Sequence, residues 1–118
     1  MKKTKKSKSQ LEIESWETKL DKLVKEIVFL RDRECVTCPL WHYLKPEKHH
    51  GSDIMQPGHY ITRDAKSVRW DLRNVYQQCS TCNFLHEIHP EVMGNYVLSV
   101  LDIGGLEEAK QELHEAVE

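Results

Sequence analysis

The sequence has little net charge and no long apolar run, and both absences exclude simple classes of function. Its 17 Lys and Arg residues nearly balance 19 Asp and Glu residues, so the 118-residue chain carries a formal charge of only −2. A uniformly basic nucleic-acid-binding protein is therefore excluded. No segment approaches the roughly 18 apolar residues of a membrane span, and none follows the N-terminal lysines as in a signal peptide. We therefore expect a cytoplasmic protein in a reducing compartment, without a membrane partner.

The charges are distributed unevenly along the chain. Residues 1–10 contribute +5 and contain no apolar residue after Met1, which predicts a disordered basic arm. Residues 11–34 contribute −2 and residues 35–101 contribute 0. Residues 102–118 contribute −5 and are predicted to form an acidic C-terminal helix. The inward-facing residues of that helix are predicted to be Leu106, Ala109 and Leu113.

Residues 11–33 show the periodicity of an amphipathic helix with coiled-coil spacing. Apolar residues recur at intervals of 3, 4, 3, 4 and 3, at Ile13, Trp16, Leu20, Leu23, Ile27 and Leu30. Val24 and Val28 widen this stripe. Two interpretations remain open, because the helix could pack on its own domain or the stripe could join a second copy in a homodimer.

The segment between residues 34 and 101 is predicted to combine short strands with helices. Residues 34–57 are expected to be irregular, and the predicted strands are residues 55–61 and 74–78. The predicted helices run from Ser80 to the residue before Pro90, and over residues 91–101. One face of the second helix contains Val92, Tyr96, Val97, Val100 and Leu101. The fold class is therefore α+β, with more helix than strand.

All four cysteines of the chain occur in two C-x-x-C pairs, Cys35/Cys38 and Cys79/Cys82. In a reducing compartment such pairs more often bind metal than form a disulfide. Four thiolates in tetrahedral geometry are typical of structural zinc, which would join distant parts of a small core. A thioredoxin-like redox pair is disfavoured because the chain lacks a βαβ pattern. Trp41 and Tyr43 follow the first pair and are predicted to cover the zinc site.

A histidine and two asparagines lie between and after these pairs in an order that suits phosphodiester hydrolysis. His59 lies on the first predicted strand, Asn74 begins the second, and Asn83 directly follows the last cysteine. A neutral histidine can take a proton from water, and a divalent cation held from the next helix can stabilise charge on the phosphate. An asparagine side chain can fix a loop by hydrogen bonding. Taken alone, each residue is weak evidence, because a lone histidine more often has a structural role and an asparagine at a helix start is often only a cap.

Together these residues resemble the NinG (Rap) recombination endonucleases of lambda-like phages, within the HNH or ββα-metal nucleases. The resemblance covers about residues 23–105. It rests on Leu30-Arg31-Asp32, Cys35-Val36-Thr37-Cys38, Gly58-His59-Tyr60, Arg73 to Cys79, Cys82-Asn83 and Gly94-Asn95-Tyr96. It implies a zinc-stapled ββα-metal core over residues 34–101, between an N-terminal amphipathic helix and C-terminal helices. It also implies structure-selective cleavage of branched DNA, such as Holliday junctions. For a phage-encoded protein, this activity would take place in the cytoplasm of the host cell.

The resemblance further implies roles for individual residues. His59 would be the general base, Asn74 a supporting residue and Asn83 a ligand of catalytic Mg²⁺ or Mn²⁺, while the four cysteines would bind structural Zn²⁺. Many HNH enzymes carry an aspartate metal ligand directly before the base, where this chain has Gly58. The second ligand is therefore unassigned, and the candidates are His86, which shares a helix face with Asn83, then Asp53, Gln56 and His89.

The loop between His59 and Asn74 is basic and is predicted to contact DNA phosphates. Its cationic residues are Arg63, Lys66, Arg69 and Arg73. Trp70 either stacks on an unpaired base or anchors the loop in the core, and the second role is favoured.

The sequence therefore predicts a metal-dependent DNA endonuclease acting on branched recombination intermediates. One alternative is a module that is held together by a structural zinc ion and binds DNA or a protein partner without catalysis. Another is an HNH restriction or nicking enzyme, which would share the chemistry and differ in substrate.

Overall fold

The computed structural model describes residues 5–44, 50–101 and 106–116, with side chains described except at 42–44 and 106–110. In chain order its elements are α1 (Lys8–Asp32), α2 (Cys38–Leu44), β1 (Met55–His59), β2 (Val75–Cys79), α3 (Ser80–Leu85), α4 (Pro90–Leu101) and α5 (Leu106–Glu115). The predicted α+β class with a majority of helix is confirmed. Within the described ranges, no helix combines the length and apolar character needed to cross a membrane.

Helix α1 begins before the predicted residue 11 and is fixed at both ends. Ser7 and Gln10 form a capping box, in which each side chain accepts a hydrogen bond from the other residue's backbone amide. Arg33 ends the helix in the left-handed region, with φ of 64°. Residues 8–10 of the predicted disordered arm are therefore helical, because the cap satisfies the first amides of the helix. Residues 1–4 of that arm lie outside the described residues.

Helix α1 packs on its own domain through one narrow face. Val24 and Val28 form a buried cluster with Val75 of β2, and the partly buried Trp70 packs against it. Arg31 donates a hydrogen bond of 2.7 Å to the backbone carbonyl of Val75. The two valines that widen the predicted stripe therefore hold the helix in place, while the stripe itself remains exposed.

The two strands form an antiparallel sheet, and the second strand lies in the core of the protein. Met55 lies opposite Cys79 and His59 lies opposite Val75. All five residues of β2 are buried, because α1 packs on the sheet and the clusters around Trp41 and Tyr76 cover the remaining side chains. Helix α3 starts at Ser80, directly after β2, so the chain passes from strand to helix without a loop.

Three details of the predicted secondary structure are wrong. The segment 34–57 contains α2, because Pro39 suits the first turn of a helix, where its missing amide is not needed. Helix α3 ends at Leu85, and turns rather than helix lead to Pro90. In α4 the buried side chains are Val92, Met93 and Val97, whereas Val100 is exposed.

The acidic C-terminal helix is present as α5, and its predicted inward residue Leu113 is fully buried. The side chains of Leu106 and Ala109 lie outside the described residues. Glu112 on the same helix pairs with Arg73 at 2.9 Å, so the acidic helix contacts the basic loop.

Candidate zinc centre and histidine cleft

The two C-x-x-C pairs meet where α2, β2 and α3 converge. The four sulfur atoms lie within 4.8 Å of one another. Cys38 Sγ is 3.6 Å from Cys79 Sγ and 3.7 Å from Cys82 Sγ. A tetrahedral zinc ion with Zn–S bonds of about 2.3 Å places its sulfurs about 3.8 Å apart. The predicted cysteine cluster is confirmed, and its dimensions fit a structural zinc ion.

The electrostatics of the cluster also fit a bound cation. Burial raises the pKa of the Cys38 thiol to about 12. The hydrogen bond between Cys35 and Cys82 raises the pKa of Cys82 and lowers the pKa of Cys35 to about 4. The sulfurs are too close to ionise together unless a positive ion balances their charge, and zinc binds thiolates. Trp41 is 1% exposed and packs on the cluster, as predicted. The side chain of Tyr43 lies outside the described residues.

A cleft of about 500 Å³ contains three of the four predicted catalytic residues. His59 reaches it from the end of β1, and Asn83 and His86 reach it from α3 and the turn that follows. Gln56 also lines the cleft, and α1 contributes Asp21 to its wall. The strand-to-helix passage after Cys79 therefore places α3 beside β1, which brings residues distant in sequence together.

The imidazole of His59 is held in one tautomer. Its Nε2 lies 2.9 Å from the backbone carbonyl oxygen of Arg69. A carbonyl only accepts hydrogen bonds, so Nε2 carries the proton and Nδ1 keeps its lone pair. Burial lowers the pKa of His59, so the ring is neutral at pH 7. The side chain is thus able to accept a proton at Nδ1.

Asn74 lies behind the cleft and is fully buried. Its Nδ2 donates to the carbonyl oxygens of Ile61 at 3.0 Å and Val68 at 3.1 Å. Its Oδ1 accepts from the amide of Ile61 at 2.8 Å. One side chain therefore ties both ends of the segment 61–68 to the start of β2, which is the loop-fixing geometry that the sequence suggested.

Asn83 and His86 present two atoms that suit a cation. Asn83 Nδ2 donates to Gln56 Oε1 at 2.9 Å, so the Oδ1 lone pairs are left for another partner. His86 Nε2 lies 2.9 Å from the carbonyl oxygen of Tyr60 and must carry its proton. His86 Nδ1 is buried and has no hydrogen-bond partner in the described part of the chain. A buried unpaired nitrogen is unfavourable, and a bound cation would satisfy it.

Of the other candidates for a metal ligand, Gln56 lines the cleft, whereas Asp53 and His89 lie elsewhere. Asp53 is exposed and is not among the residues that line the cleft. His89 pairs with Glu91 at 3.1 Å and its ring packs edge-on against Trp41, at 5.5 Å between centroids. The structure therefore groups His86, but neither Asp53 nor His89, with Asn83.

Gly58 has no room for an aspartate side chain, the residue that many HNH enzymes carry before their catalytic histidine. A Cβ atom at this position would collide with the amide of Gln78, approaching its Cδ to 2.7 Å. Gln78 cannot easily move, because it is buried and its Nε2 donates to Thr37 Oγ1 at 2.9 Å. The glycine and the glutamine are thus complementary, and a carboxylate before His59 would require both to change.

Two arginines of the basic loop are bound within the protein. Arg69 is 12% exposed and pairs with Asp21 at 2.5 Å and Glu17 at 3.0 Å, both on α1. Burial opposes ionisation of Asp21, but hydrogen bonds from Arg69 and Trp70 outweigh it and lower the pKa of Asp21. Arg73 pairs with Asp71 at 2.8 Å. These arginines attach the loop to its neighbours, and sequence reasoning missed the carboxylates of α1 that hold Arg69.

The remaining residues of the loop are more accessible. The side chains of Arg63 and Lys66 are 64% and 65% exposed. Their distances to Asp21 and Glu17 are 3.6 Å and 3.4 Å, typical of weak surface pairs. Trp70 donates to Asp21 at 2.9 Å and packs on the α1 cluster, so it acts as the core anchor that the sequence favoured.

A protein-family model matches most of the chain. The family model described as Bacteriophage Lambda NinG protein matches residues 1–97, which is more than four fifths of the chain. Neither the curated proteins nor the solved structures contain a significant match. The matched range includes both cysteine pairs, the histidine cleft and α1. The chain therefore belongs to the bacteriophage lambda NinG family, a phage family related to recombination.

Proposed function

We propose that the protein is a metal-dependent DNA endonuclease of the HNH type, acting on branched recombination intermediates such as Holliday junctions. The observation that carries this proposal is the state of His59. Its ring is neutral, its Nε2 proton is engaged by the Arg69 carbonyl, and its Nδ1 lone pair is available at the cleft. Membership of a phage recombination family supports the choice of DNA as the substrate.

In the proposed reaction, His59 activates a water molecule for in-line attack on a phosphate. The water proton passes to Nδ1, a bond forms between the water oxygen and phosphorus, and the bond to the 3′ oxygen breaks. The leaving 3′ oxygen takes a proton from solvent water, so the products carry a 5′-phosphate and a 3′-hydroxyl. The Arg69 carbonyl stabilises the resulting imidazolium by accepting from Nε2, and Asn74 holds the loop that supplies it.

Asn83 Oδ1 and His86 Nδ1 would hold the catalytic Mg²⁺ or Mn²⁺. Such an ion supplies a positive charge that stabilises the phosphate and the leaving oxygen. His86 takes the place of the ligand that Gly58 cannot provide, since its Nδ1 is buried and unpaired among the described residues. Arg63 and Lys66 are the cations best placed to contact neighbouring phosphates, because both side chains remain exposed.

The test is a cleavage assay on zinc-loaded protein with Mg²⁺ or Mn²⁺. Substrates are a four-way junction and a linear duplex of the same sequence. We expect preferential cleavage of the junction, and a rate lower by about 10²–10⁴-fold for His59→Ala. His50→Ala is the matched control, because His50 is exposed and does not line the cleft. Equal rates for wild type and His59→Ala at equal zinc content would refute the proposal.

The second candidate is a zinc-stapled module that binds DNA or a protein partner without cutting. It is favoured by the collision at Gly58, which removes the usual carboxylate ligand. This candidate predicts junction binding without products and with no effect of His59→Ala. It also predicts that a zinc-loaded sample binds no Mn²⁺ in a titration followed by electron paramagnetic resonance. Cleavage of linear duplex at fixed sequences would instead identify a restriction or nicking enzyme.

A further inference from the structure

Helix α1 exposes its entire heptad stripe to solvent. The stripe consists of Ile13, Trp16, Leu20, Leu23, Ile27 and Leu30, with exposed fractions between 37% and 76%. Val24 and Val28, which hold the helix on its own domain, lie to one side of this stripe. A contiguous apolar surface of this kind marks a site of association in a soluble protein. Its strict alternation of three and four residues is the pattern of a coiled-coil interface.

The helix is already ordered before any partner binds. The capping box at Ser7 and the packing of Val24 and Val28 fix it within the monomer. Association therefore requires little further loss of backbone entropy, which otherwise makes short coiled coils weak.

The charges beside the stripe indicate what the partner is. Glu12, Lys19 and Glu26 recur every seven residues along one edge of α1, and Arg33, the residue that ends the helix, continues this spacing with charges of alternating sign. All four are exposed, and none has an ion-pair partner within the described ranges. An edge of alternating sign is complementary to the same edge running in the opposite direction. A second copy of this chain therefore fits without any change of sequence.

The antiparallel register follows from the apolar layers. Placing Ile13 opposite Leu30 of a second copy also places Leu20 opposite Leu23. The same register brings Glu12 beside Arg33 and Lys19 beside Glu26, each pair occurring twice by symmetry. In a parallel pair, Glu12 would instead face Glu17 and Lys19 would face Val24, so only Glu26, opposite Arg31, would meet an opposite charge.

We propose that two copies of this protein associate through their α1 helices in an antiparallel, two-fold symmetric interface. The inference does not depend on the nuclease activity, because it rests on the exposed stripe and its charges alone. The proposed dimer would hold two histidine clefts related by the two-fold axis.

The first test measures mass by sedimentation equilibrium on the full zinc-loaded chain. We expect a dimer, with a dissociation constant raised at least about 100-fold by Leu23→Glu, since each copy buries one such leucine. Leu11→Glu is the matched control, because Leu11 is on the same helix, is 55% exposed against 51% for Leu23, and lies outside the stripe. Unchanged circular dichroism and zinc content show that the variants fold. A monomeric wild type, or equal effects of both substitutions, would overturn the proposal.

The second test determines the direction of the helices. At low salt, Lys19→Glu and Glu26→Lys should each raise the dissociation constant by roughly tenfold, because each creates two like-charge pairs. The double variant should restore the wild-type value, since the two charges exchange places across an antiparallel interface. A double variant no tighter than its weaker parent would overturn the antiparallel arrangement.

Discussion

Replacing Asn74 with alanine should separate the loop after β1 from the sheet. The substitution removes three hydrogen bonds. It leaves the amide and carbonyl of Ile61 without partners, and it leaves the Val68 carbonyl with one remaining donor, the amide of Asp71 at 3.2 Å. A buried polar group left unpaired costs about 1–3 kcal/mol. The buried Val68 carbonyl keeps its bond from Asp71, and the groups of Ile61 are partly accessible to water, so none of the three bears the full penalty. We expect a loss of about 2–4 kcal/mol in the free energy of unfolding, a large share of the 5–15 kcal/mol typical of a domain.

Urea unfolding of zinc-loaded protein measures this loss, and amide hydrogen exchange locates it. Protection of the Ile61 amide should fall, because Asn74 Oδ1 is its acceptor. Asn95→Ala is the control, since Asn95 is exposed on α4 and its replacement should change stability by less than about 0.5 kcal/mol. Equal stability of the two variants, or unchanged exchange at Ile61, would show that Asn74 does not hold the loop.

Three further predictions concern the metal, the base and the glycine. Removing zinc with a chelator, or Cys79→Ser, should abolish cooperative thermal unfolding, and full retention of the transition would contradict a structural metal. Because burial lowers the pKa of His59, the acid limb of cleavage should lie below pH 6.5. Just below pH 6.5, the unfolded chain binds a proton at His59 that the folded protein does not bind. The free energy of unfolding should therefore fall as the pH drops below 6.5, and a rise would refute the burial of His59. Gly58→Ala should destabilise the fold by collision with Gln78, whereas Gly94→Ala, whose nearest neighbour is 3.7 Å away, should not. Equal melting temperatures for these two variants would exclude the collision.

The cysteine cluster and the sheet could be predicted because their determinants are local. The C-x-x-C spacing itself allows the two sulfurs of each pair to reach one ion. The two pairs then meet if the chain between Cys38 and Cys79 reverses its direction. Helix α2 was missed because its seven residues are too few to show a period, and Pro39 indicated a break rather than a start. In α4, the predicted inward face included Val100, which is exposed, and omitted Met93, which is buried. The apolar residues nearly surround this helix, so its periodicity does not define one face.

The partners of the basic loop could not be predicted from sequence. Arg69 pairs with residues about fifty positions earlier, and α1 offers several acids on more than one face. Only the packing of Val24 and Val28 against β2 decides that Glu17 and Asp21 face the loop. The role of Gly58 was hidden for the same reason, since the amide that fills its space comes from the neighbouring strand.

Helix α1 joins the cleft to the proposed interface through adjacent residues. Asp21 lines the cleft and binds Arg69 and Trp70, while Leu20, the preceding residue, lies on the exposed stripe. No loop or hinge separates the two surfaces, because they are different faces of one continuous helix. In the proposed dimer, the spacing between the two clefts is therefore set by helix packing rather than by a flexible linker. Such a fixed, two-fold arrangement of clefts suits a substrate that is itself two-fold symmetric. A four-way junction has this symmetry, whereas a single cleavage site in linear duplex does not need it.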